Sequence, residues 1–286
     1  MVERNNFGII GGDKRQIYLT EALVADGYNV YAFGFDQAGE IKGAILASCE
    51  EIAVLCHTII FPLPVTLDGV YLNAPYAKEK IRLTDDLAKL MQGKRVFGGM
   101  IHRLQESSSI WEQAECFDYS TREEFAVQNA VPTAEGALEI AIRESPGTLN
   151  GSQCLVTGYG RIGKVLAGML HGLGANVTVA ARKPSDLSWI AMHGYKSLDI
   201  HQLAENTQFD FIFNTIPALI FHRKLVSRIP GHCLCIELAS APGGFDFDAA
   251  EKRNLRIIKA ASLPGKVAPK TAGEIIKNMI YNMCEE

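Results

Sequence analysis

A glycine turn between a short apolar strand and an amphipathic helix sets the fold class of this chain. Residues 154–170 read CLVTGYGRIGKVLAGML, in which Gly158, Gly160 and Gly163 have G-x-G-x-x-G spacing. The first glycine permits a tight turn, the second lets the backbone approach a pyrophosphate, and the third allows close packing of helix on strand. A plain α/β domain can carry such a turn without a ligand, but this context favours a dinucleotide site. The predicted cofactor contacts are Gly158, Tyr159, Gly160, Arg161, Ile162 and Gly163.

The end of the next strand indicates which dinucleotide the site prefers. An NAD site usually has Asp or Glu there, which accepts hydrogen bonds from the ribose hydroxyls. Here the strand ends in VAARKPSD, so that Arg182 and Lys183 stand in place of the acid. Because a guanidinium grips a phosphate through two hydrogen bonds, Arg182, helped by Lys183 and Ser185, predicts NADP. The alternatives are a solvated basic turn, or a shifted turn that brings in Asp186.

Two later strands should end beside the same site. Ligands bind outside the carboxyl ends of the strands in an open parallel sheet. The segment NTIP at 214–217 ends one predicted strand, so Asn214, Thr215 and Pro217 should line the ribose–nicotinamide side. The segment ELAS ends the next strand, and its Glu237 is either a functional acid or the cap of a loop.

The same alternation of strand and helix occupies the first half of the chain. FGIIGG at 7–12 predicts a buried strand that ends in a turn, and RQIYLTEALVADG predicts the helix after it. Two lobes of βαβ units indicate an α/β fold with parallel sheets covered by helices on both faces. The turn-rich segment SPGTLNGS at 145–152 is the predicted boundary between the lobes.

The connection between the lobes is predicted to be helical. Thr121 and Glu124 have the spacing of a capping box, so a helix should begin there. Pro132 should end or kink that helix, and a second helix should run from about Thr133 to Glu144. Thr271 and Glu274 repeat the capping-box spacing at the start of the last predicted helix.

The sequence predicts a division into four segments. An N-terminal α/β lobe at 1–131 holds the substrate and catalytic groups, and an interdomain helix and linker follow at 132–150. A Rossmann NADP-binding domain occupies 151–265, and a C-terminal helix at 266–286 returns to the first lobe.

Composition narrows the classes of partner. The chain has 286 residues, of which 48% are apolar and 21% charged, and its net charge is only −4. Without a basic patch or a long apolar run, we expect neither nucleic acid nor a membrane as a partner. The start MVERNNFGIIGGD lacks the pattern of a secretory signal, so a cytoplasmic protein with reduced thiols is expected. Among seven scattered cysteines only Cys233 and Cys235 lie close, which favours core packing, and no metal site is predicted.

Six motifs together resemble one family. They are GGDKRQ (11–16), NAVPTAEGAL (129–138), GYGRIGKVLA (158–167), NTIP (214–217), ELASAPGGFD (237–246) and SLPGKVAPKTAG (262–273), and they extend over nearly the whole chain. In this order they resemble the A subunits of dipicolinate synthase. The resemblance implies a sporulation enzyme of the mother-cell cytoplasm that works with a B subunit. It also implies oxidation of dihydrodipicolinate, or its hydrated tetrahydro precursor, to pyridine-2,6-dicarboxylate with a nicotinamide cofactor. The implied fold is a two-domain dehydrogenase like formate and glycerate dehydrogenases, with a flavodoxin-like N-terminal lobe.

A small dicarboxylate of this kind requires cations or backbone donors at both ends. The segment SLPGKVAPKTAG should form a stiff loop before the last helix, and Lys266 and Lys270 are its cations. We expect Lys266 to bind one carboxylate, with Lys270 and the helix N-terminus assisting. The alternative is a hinge whose prolines and glycines only shape the chain.

The second carboxylate is assigned to the first lobe. Arg15 follows the first strand, and its planar fork matches a carboxylate, with Asp13 to orient it. The alternative is a loop that only caps its own helix. Thr133 and Glu135 are further substrate-site candidates. Candidate general bases are Glu135 and Glu237, and Lys266 completes the catalytic set.

The usual acid–base histidine of 2-hydroxyacid dehydrogenases is missing, because the chain has no histidine after His232. This absence fits oxidation of a ring, in which no alcohol proton is removed. Two other functions stay open. One is an NADP-dependent dehydrogenase or reductase of another carboxylate or imine, and the other is a cofactor-binding subunit that is inactive without its partner. A homo-oligomer is a further possibility.

Overall fold

The computed structural model describes residues 6–286. Contacts divide this chain into two compact units, one comprising the chain up to Asn129 together with Ala268–Glu286, and the other Ala130–Val267. Each unit holds a six-stranded parallel sheet, so the predicted α/β fold class is confirmed. In the described part of the chain, no helix has the length and apolarity needed to cross a membrane.

The strands of the two sheets follow the same winding rule. The first sheet has the order β3-β2-β1-β4-β5-β6 and the second the order β12-β11-β10-β7-β8-β9. The direction of winding therefore reverses between β1 and β4 in the first sheet and between β7 and β10 in the second, and such switch points bind ligands in open parallel sheets. The strands are β1 Asn6–Ile10, β2 Asn29–Phe33, β3 Ile45–Leu46, β4 Thr58–Ile60, β5 Arg95–Gly98, β6 Glu115–Asp118, β7 Gln153–Thr157, β8 Asn176–Ala181, β9 Lys196–Asp199, β10 Phe211–Asn214, β11 Leu234–Glu237 and β12 Ile257–Lys259.

Helices connect the strands and cover the sheets. The helices are α1 Lys14–Ala25, α2 Cys49–Leu55, α3 Asp85–Leu90, α4 His102–Gln105, α5 Glu123–Glu144, α6 Arg161–Gly172, α7 Pro184–Met192, α8 Arg223–Val226, α9 Phe247–Lys252, α10 Leu263–Val267 and α11 Pro269–Glu285. Short 3-10 turns lie at Ser109–Gln113, Tyr119–Thr121 and Ile200–Glu205. The central strands are buried on both faces, which explains apolar runs such as the NFGII of β1.

The closing helix α11 packs against α1 within the first unit. Its apolar face, which includes Ile276 and Met279, joins the core that contains Leu19 of α1. Gly273 permits the close approach, because a Cβ there would lie 2.5 Å from the backbone oxygen of Arg15. At the far end, Lys277 donates a 2.5 Å hydrogen bond to the Asp26 carboxylate.

The connecting helix differs from the prediction. Helix α5 runs without a break through Pro132, so the predicted end at this residue is wrong. Proline removes only one hydrogen bond of the helix, and burial on either side of Pro132 compensates for it. Phe125 packs into the core of the first unit, whereas Ala134 and Ala137 pack into that of the second. The helix begins at Glu123, two residues after Thr121, whose hydroxyl donates to the backbone oxygen of Asp118 at 2.9 Å.

The segment SLPGKVAPKTAG is not the stiff loop that the sequence predicted. Residues Leu263–Val267 form α10, and α11 already begins at Pro269, with Ala268 as its N-cap. Proline is well suited to the first helical turn because its missing N–H needs no partner there. Thr271 therefore lies inside α11 and does not cap it, so the predicted capping box at this residue is wrong.

Candidate functional site

The glycine turn has the geometry that close approach of a phosphate requires. Gly158 has a φ of +94°, and its N–H donates to the Ala180 oxygen at 2.8 Å. A Cβ on Gly163 would overlap the Gly158 oxygen, so the third glycine holds α6 close to β7. A Cβ on Gly160 meets no atom within 4 Å. Open space beside Gly160, at the N-terminus of α6, fits a dinucleotide pyrophosphate.

A buried polar network lies behind this turn, at the switch point between β7 and β10. The Thr157 hydroxyl donates to Asn214 Oδ1 at 2.6 Å, and Asn214 Nδ2 donates to Glu237 Oε1 at 2.7 Å. The Asn214 amide also bonds both backbone groups of Ile216, at 3.2 and 3.0 Å. All four hydrogen-bonding positions of Asn214 are thus used within the protein. Its side chain holds the 214–217 loop in place, and cofactor contact at this loop stays a prediction for Thr215 and Pro217.

Glu237 is bound on both carboxylate oxygens. Its Oε1 also accepts from the Ala239 N–H at 3.0 Å, and its Oε2 accepts from the Gly244 N–H at 2.7 Å. The residue is only 5% exposed. Of the two alternatives, the contacts favour the one in which Glu237 anchors loops. Its catalytic role is a hypothesis that these bonds do not support, because a general base needs a free lone pair facing the substrate.

The end of β8 carries cations without a compensating acid. Arg182, Lys183 and Ser185 are all exposed, and none of their side chains has a hydrogen bond or ion pair to the described residues. Asp186 lies in the first turn of α7. An exposed, unpaired guanidinium at this strand end fits a ribose 2′-phosphate.

Tyr159 and His193 form a contact that the sequence did not reveal. The Tyr159 hydroxyl lies 3.1 Å from Nδ1 of His193, and the imidazole stacks on Tyr195 with ring centroids 6.0 Å apart. Burial raises the pKa of Tyr159. Since two helices and a strand separate His193 from the glycine motif along the chain, no local spacing could have signalled this pair.

In the first unit, Arg15 bridges the switch point between β1 and β4. Its side chain is only 9% exposed, and it binds Asp13 through Nε at 3.0 Å and Nη2 at 2.8 Å. The same Nη2 donates to the backbone oxygen of Leu63, which follows β4. Asp13 therefore makes the contact by which it would orient Arg15. Asp13 also caps α1 by accepting from the Arg15 N–H at 2.9 Å, so the two alternatives for this loop are compatible.

The remaining substrate-site candidates lie in several elements. Lys266 is exposed in α10, and its Nζ donates to the Ala261 oxygen at 2.8 Å. Lys270, in the first turn of α11, lines a groove between α1 and α11 together with the acids Glu21 and Glu274. Thr133 is half-buried in α5 and has a partner.

Glu135 is exposed on the same helix α5 as Thr133, and its side chain has no hydrogen bond or ion pair to any described residue. It is therefore the candidate base that stays free to exchange a proton. Across residues 6–286, no group of three or more His, Cys, Asp or Glu side chains is placed to hold a metal ion.

Gln16 is the polar residue that sequence analysis missed. It is completely buried in α1, and neither atom of its carboxamide has a hydrogen-bond partner in the described chain. The available signal was positional, because Gln16 lies one and two turns before Leu19 and Leu23 on the buried face of an amphipathic helix.

The fold and the glycine turn define a nicotinamide-binding domain of the dehydrogenase type, and comparison with known proteins supports this class. Residues 129–228 match the family model of the D-isomer specific 2-hydroxyacid dehydrogenase NAD binding domain. A transhydrogenase from Sinorhizobium meliloti superposes with a TM-score of 0.73 over 98% of this chain and 93% of its own, at 16% identity, which shows the shared fold.

More similar relatives identify the family. Residues 6–116 match the family model of the N-terminal domain of the dipicolinate synthase A subunit. The dipicolinate synthase A subunit of Bacillus subtilis is 33% identical over 282 residues, covering 97% of this chain and 95% of its own. The crystal structure of the A subunit from Bacillus halodurans has a TM-score of 0.89 at 31% identity, and the alignment covers 100% of this chain and 99% of its own. The chain belongs to the dipicolinate synthase A-subunit family, which confirms the resemblance seen in the sequence.

Proposed function

We propose that this chain is an oxidoreductase that uses NADP to oxidise dihydrodipicolinate, or its hydrated tetrahydro precursor, to pyridine-2,6-dicarboxylate. It does so with a B subunit in the mother-cell cytoplasm of a sporulating bacterium. Family membership and the nicotinamide-binding domain support the reaction class. The designation of the relatives as A subunits supports a partner subunit.

The observation that carries the choice of NADP is the unpaired Arg182 at a strand end without a carboxylate. In an NAD site, an acid at this position would bind the ribose and repel a 2′-phosphate. Here the exposed Arg182 has no competing partner in the described chain, and Lys183 adds a second positive charge. The open space at Gly160 gives the pyrophosphate a place at the N-terminus of α6.

The protein's own task is to hold the substrate and to receive a proton. When bound, the cofactor accepts the hydride that leaves the ring. Arg15, oriented by Asp13, binds one carboxylate, and Lys266 binds the other with help from Lys270. Of the candidate bases, Glu135 takes the ring proton, because its carboxylate is exposed and unpaired among the described residues. Aromatisation of the ring supplies the driving force, so positioning is the larger part of catalysis.

Calorimetric titration with NADPH and NADH tests the cofactor assignment. We expect wild type to prefer NADPH, and Arg182→Ala to lose that preference while its affinity for NADH is retained. Arg223→Ala is a matched control, because Arg223 is also exposed in the second unit and is not among the predicted cofactor contacts. Tighter binding of NADH by wild type would refute the NADP assignment.

Kinetics test the substrate assignment. Arg15→Met and Lys266→Ala should each raise the substrate KM, because each removes a cation that pairs with a carboxylate. A KM and kcat equal to those of wild type would remove that residue from the site.

One observation favours a second function, that of a cofactor-binding subunit inactive by itself. The hydrogen bonds of Glu237 occupy one of the two candidate bases, so that Glu135 is the single candidate left free. A chain with so few candidate bases is one in which a partner subunit could supply the base. If the partner supplies the base, the purified chain should bind NADPH without turnover, and addition of the B subunit should restore oxidation. Turnover by the chain alone would exclude this alternative.

A further inference from the structure

The segment that follows β4 is fixed at every backbone oxygen. Residues 61–65 read FPLPV and lie at the switch point between β1 and β4. Each of the five carbonyl oxygens accepts a hydrogen bond from elsewhere in the first unit: Phe61 from the Tyr119 hydroxyl at 3.1 Å, Pro62 from the Gly99 N–H at 3.1 Å, Leu63 from Arg15 Nη2, Pro64 from Asn73 Nδ2 at 3.0 Å and Val65 from the Asn73 N–H at 2.9 Å. These bonds and the two prolines hold the segment in one conformation.

One N–H group of this segment has no partner. The two prolines lack an N–H, and the N–H groups of Phe61 and Val65 donate, at 2.7 and 3.0 Å, to backbone oxygens in and directly after β5. For the Leu63 N–H, no acceptor is found in the described chain. Leu63 is half-buried, whereas Phe61 and Val65 are buried. An unpaired backbone N–H is costly unless solvent or a ligand accepts from it, so this donor is available to a ligand.

The free N–H of Leu63 lies on the side of the segment that faces Arg15. Leu63 precedes a proline, which restricts it to an extended backbone, and the N–H and C=O of an extended residue point to the same side. Since the C=O of Leu63 accepts from Arg15 Nη2, its N–H faces the same guanidinium. The Leu63 nitrogen lies within about 6 Å of Nη2, because one residue and one hydrogen bond separate the two atoms.

Arg15 has a free donor beside this N–H. Asp13 occupies Nε and one N–H of Nη2, and the Leu63 oxygen occupies the other, whereas no hydrogen bond from Nη1 is found in the described chain. Within residues 6–286, the carboxamide of Gln16 holds the only fully buried side-chain N and O atoms without a partner, so Nη1 is reached by solvent. One carboxylate can accept from two donors that lie about 4–7 Å apart, each at about 2.9 Å.

We infer that the backbone N–H of Leu63 is a substrate-binding donor, which together with Arg15 Nη1 binds one carboxylate of the substrate in the first unit. Nη1 supplies the charged hydrogen bond, and the Leu63 N–H fixes the orientation of the carboxylate. Because the segment 61–65 is already ordered, binding carries little cost of ordering it. This inference rests on the proposed function, in which Arg15 binds a substrate carboxylate.

Hydrogen exchange of the Leu63 amide tests the inference directly. The probe is pyridine-2,6-dicarboxylate, the product of the proposed reaction, and the full chain labelled with [15N]leucine reports each leucine amide separately. At ten times the Kd of the probe, the Leu63 amide should exchange about tenfold more slowly, because it exchanges only from the free site. Leu67 is the matched control, since it lies four residues later, is 74% exposed and should keep its exchange rate.

Two substitutions separate the N–H of Leu63 from its side chain. Leu63→Pro removes the N–H and should weaken binding of the probe by at least about tenfold, the effect of one hydrogen bond to a charged group. Leu63→Met retains the N–H and the side-chain volume, so its affinity should stay within about threefold of wild type. Scanning calorimetry without the probe shows whether each variant is folded, and the exchange measurement on wild type decides if Leu63→Pro is not.

The outcomes distinguish this inference from the proposed function. An unchanged exchange rate of Leu63 with the probe bound overturns the inference, and so does equal protection of Leu67, which would show general stabilisation. If Arg15→Met still weakens the probe in that case, only the Leu63 donor fails. If Leu63 is protected but no NADP-dependent oxidation of dihydrodipicolinate occurs, the carboxylate site stands and the proposed reaction fails. A wild type that does not bind the probe refutes the site itself.

Discussion

Replacement of Glu237 by glutamine distinguishes a loop anchor from a catalytic acid. The carboxylate accepts three hydrogen bonds, two on Oε1 from Asn214 and Ala239 and one on Oε2 from Gly244. Glutamine has one acceptor oxygen and one NH2 group, so in either orientation its NH2 faces at least one N–H donor. The less damaging orientation retains the bonds to Asn214 and Ala239 and leaves the Gly244 N–H buried and unpaired.

The loss of the hydrogen bond from the Gly244 N–H sets the expected decrease in the free energy of unfolding. A hydrogen bond to a charged group contributes about 1.5–3 kcal/mol, and an orphaned buried N–H costs about 1–3 kcal/mol, so a net loss of about 2–4 kcal/mol is expected. For a unit of this size, the corresponding decrease in Tm is about 5–15 °C. Because Asn214 holds the 214–217 loop, which is predicted to contact the cofactor, NADPH binding should weaken as well. Scanning calorimetry with and without NADPH measures both effects.

Glu135→Gln is the matched comparison, since Glu135 is an exposed carboxylate without a partner in the described chain. We expect its Tm to stay within about 1–2 °C of wild type, because exposed substitutions of this kind change stability by less than about 0.5 kcal/mol. If Glu135 is the base, kcat falls while NADPH affinity is unchanged. A Glu237→Gln variant with the wild-type Tm but no turnover would refute the loop-anchor assignment and restore Glu237 as the catalytic acid.

Three further variants test the turn and the closing helix. Gly163→Ala should lower the Tm and weaken NADPH binding, because its Cβ overlaps the Gly158 oxygen, and overpacking of this kind costs about 1–3 kcal/mol or more. Gly160→Ala should weaken NADPH binding by at least about tenfold without change in Tm, because its Cβ enters only the open space. The Lys277 hydrogen bond lowers the pKa of Asp26 in the folded state, so this pair stabilises the protein above the unfolded pKa of about 3.8 and loses its effect as pH falls through the folded value. Lys277→Met should therefore lower the Tm at pH 7, and its difference from wild type should shrink as the pH falls below about 3.8.

Local sequence patterns predicted those parts of the structure that depend on neighbouring residues. The glycine turn is local, because Gly158, Gly160 and Gly163 specify their own backbone path, and the structure places each in its expected setting. The absence of an acid at the end of β8 can likewise be read from neighbouring residues alone. The parallel sheets followed from the alternation of apolar runs and amphipathic segments, which needs no knowledge of tertiary contacts.

Prediction failed where tertiary contacts outweighed a local preference. Pro132 disfavours a continuous helix by about 3 kcal/mol, yet packing of α5 on both sides maintains it. Thr271 has capping-box spacing, but α11 begins two residues earlier at Pro269 and encloses it. The choice between the two interpretations of Glu237 depended on the register of β10 and β11, which sets Asn214 opposite Glu237. No pattern within either strand encodes that pairing.

Comparison of the two switch points gives the reason to assign different roles to their polar groups. At the switch point of the second sheet, Thr157, Asn214 and Glu237 satisfy one another and the surrounding backbone. Such a network needs no further partner, and it holds the loops that follow β10 and β11 in place. At the switch point of the first sheet, Gln16 leaves two buried atoms without partners in the described chain, and Arg15 is fixed by its neighbours but retains donors. In the proposed function, Arg15 of the first unit therefore binds a substrate carboxylate, and the paired network of the second unit positions the loops that are predicted to contact the cofactor.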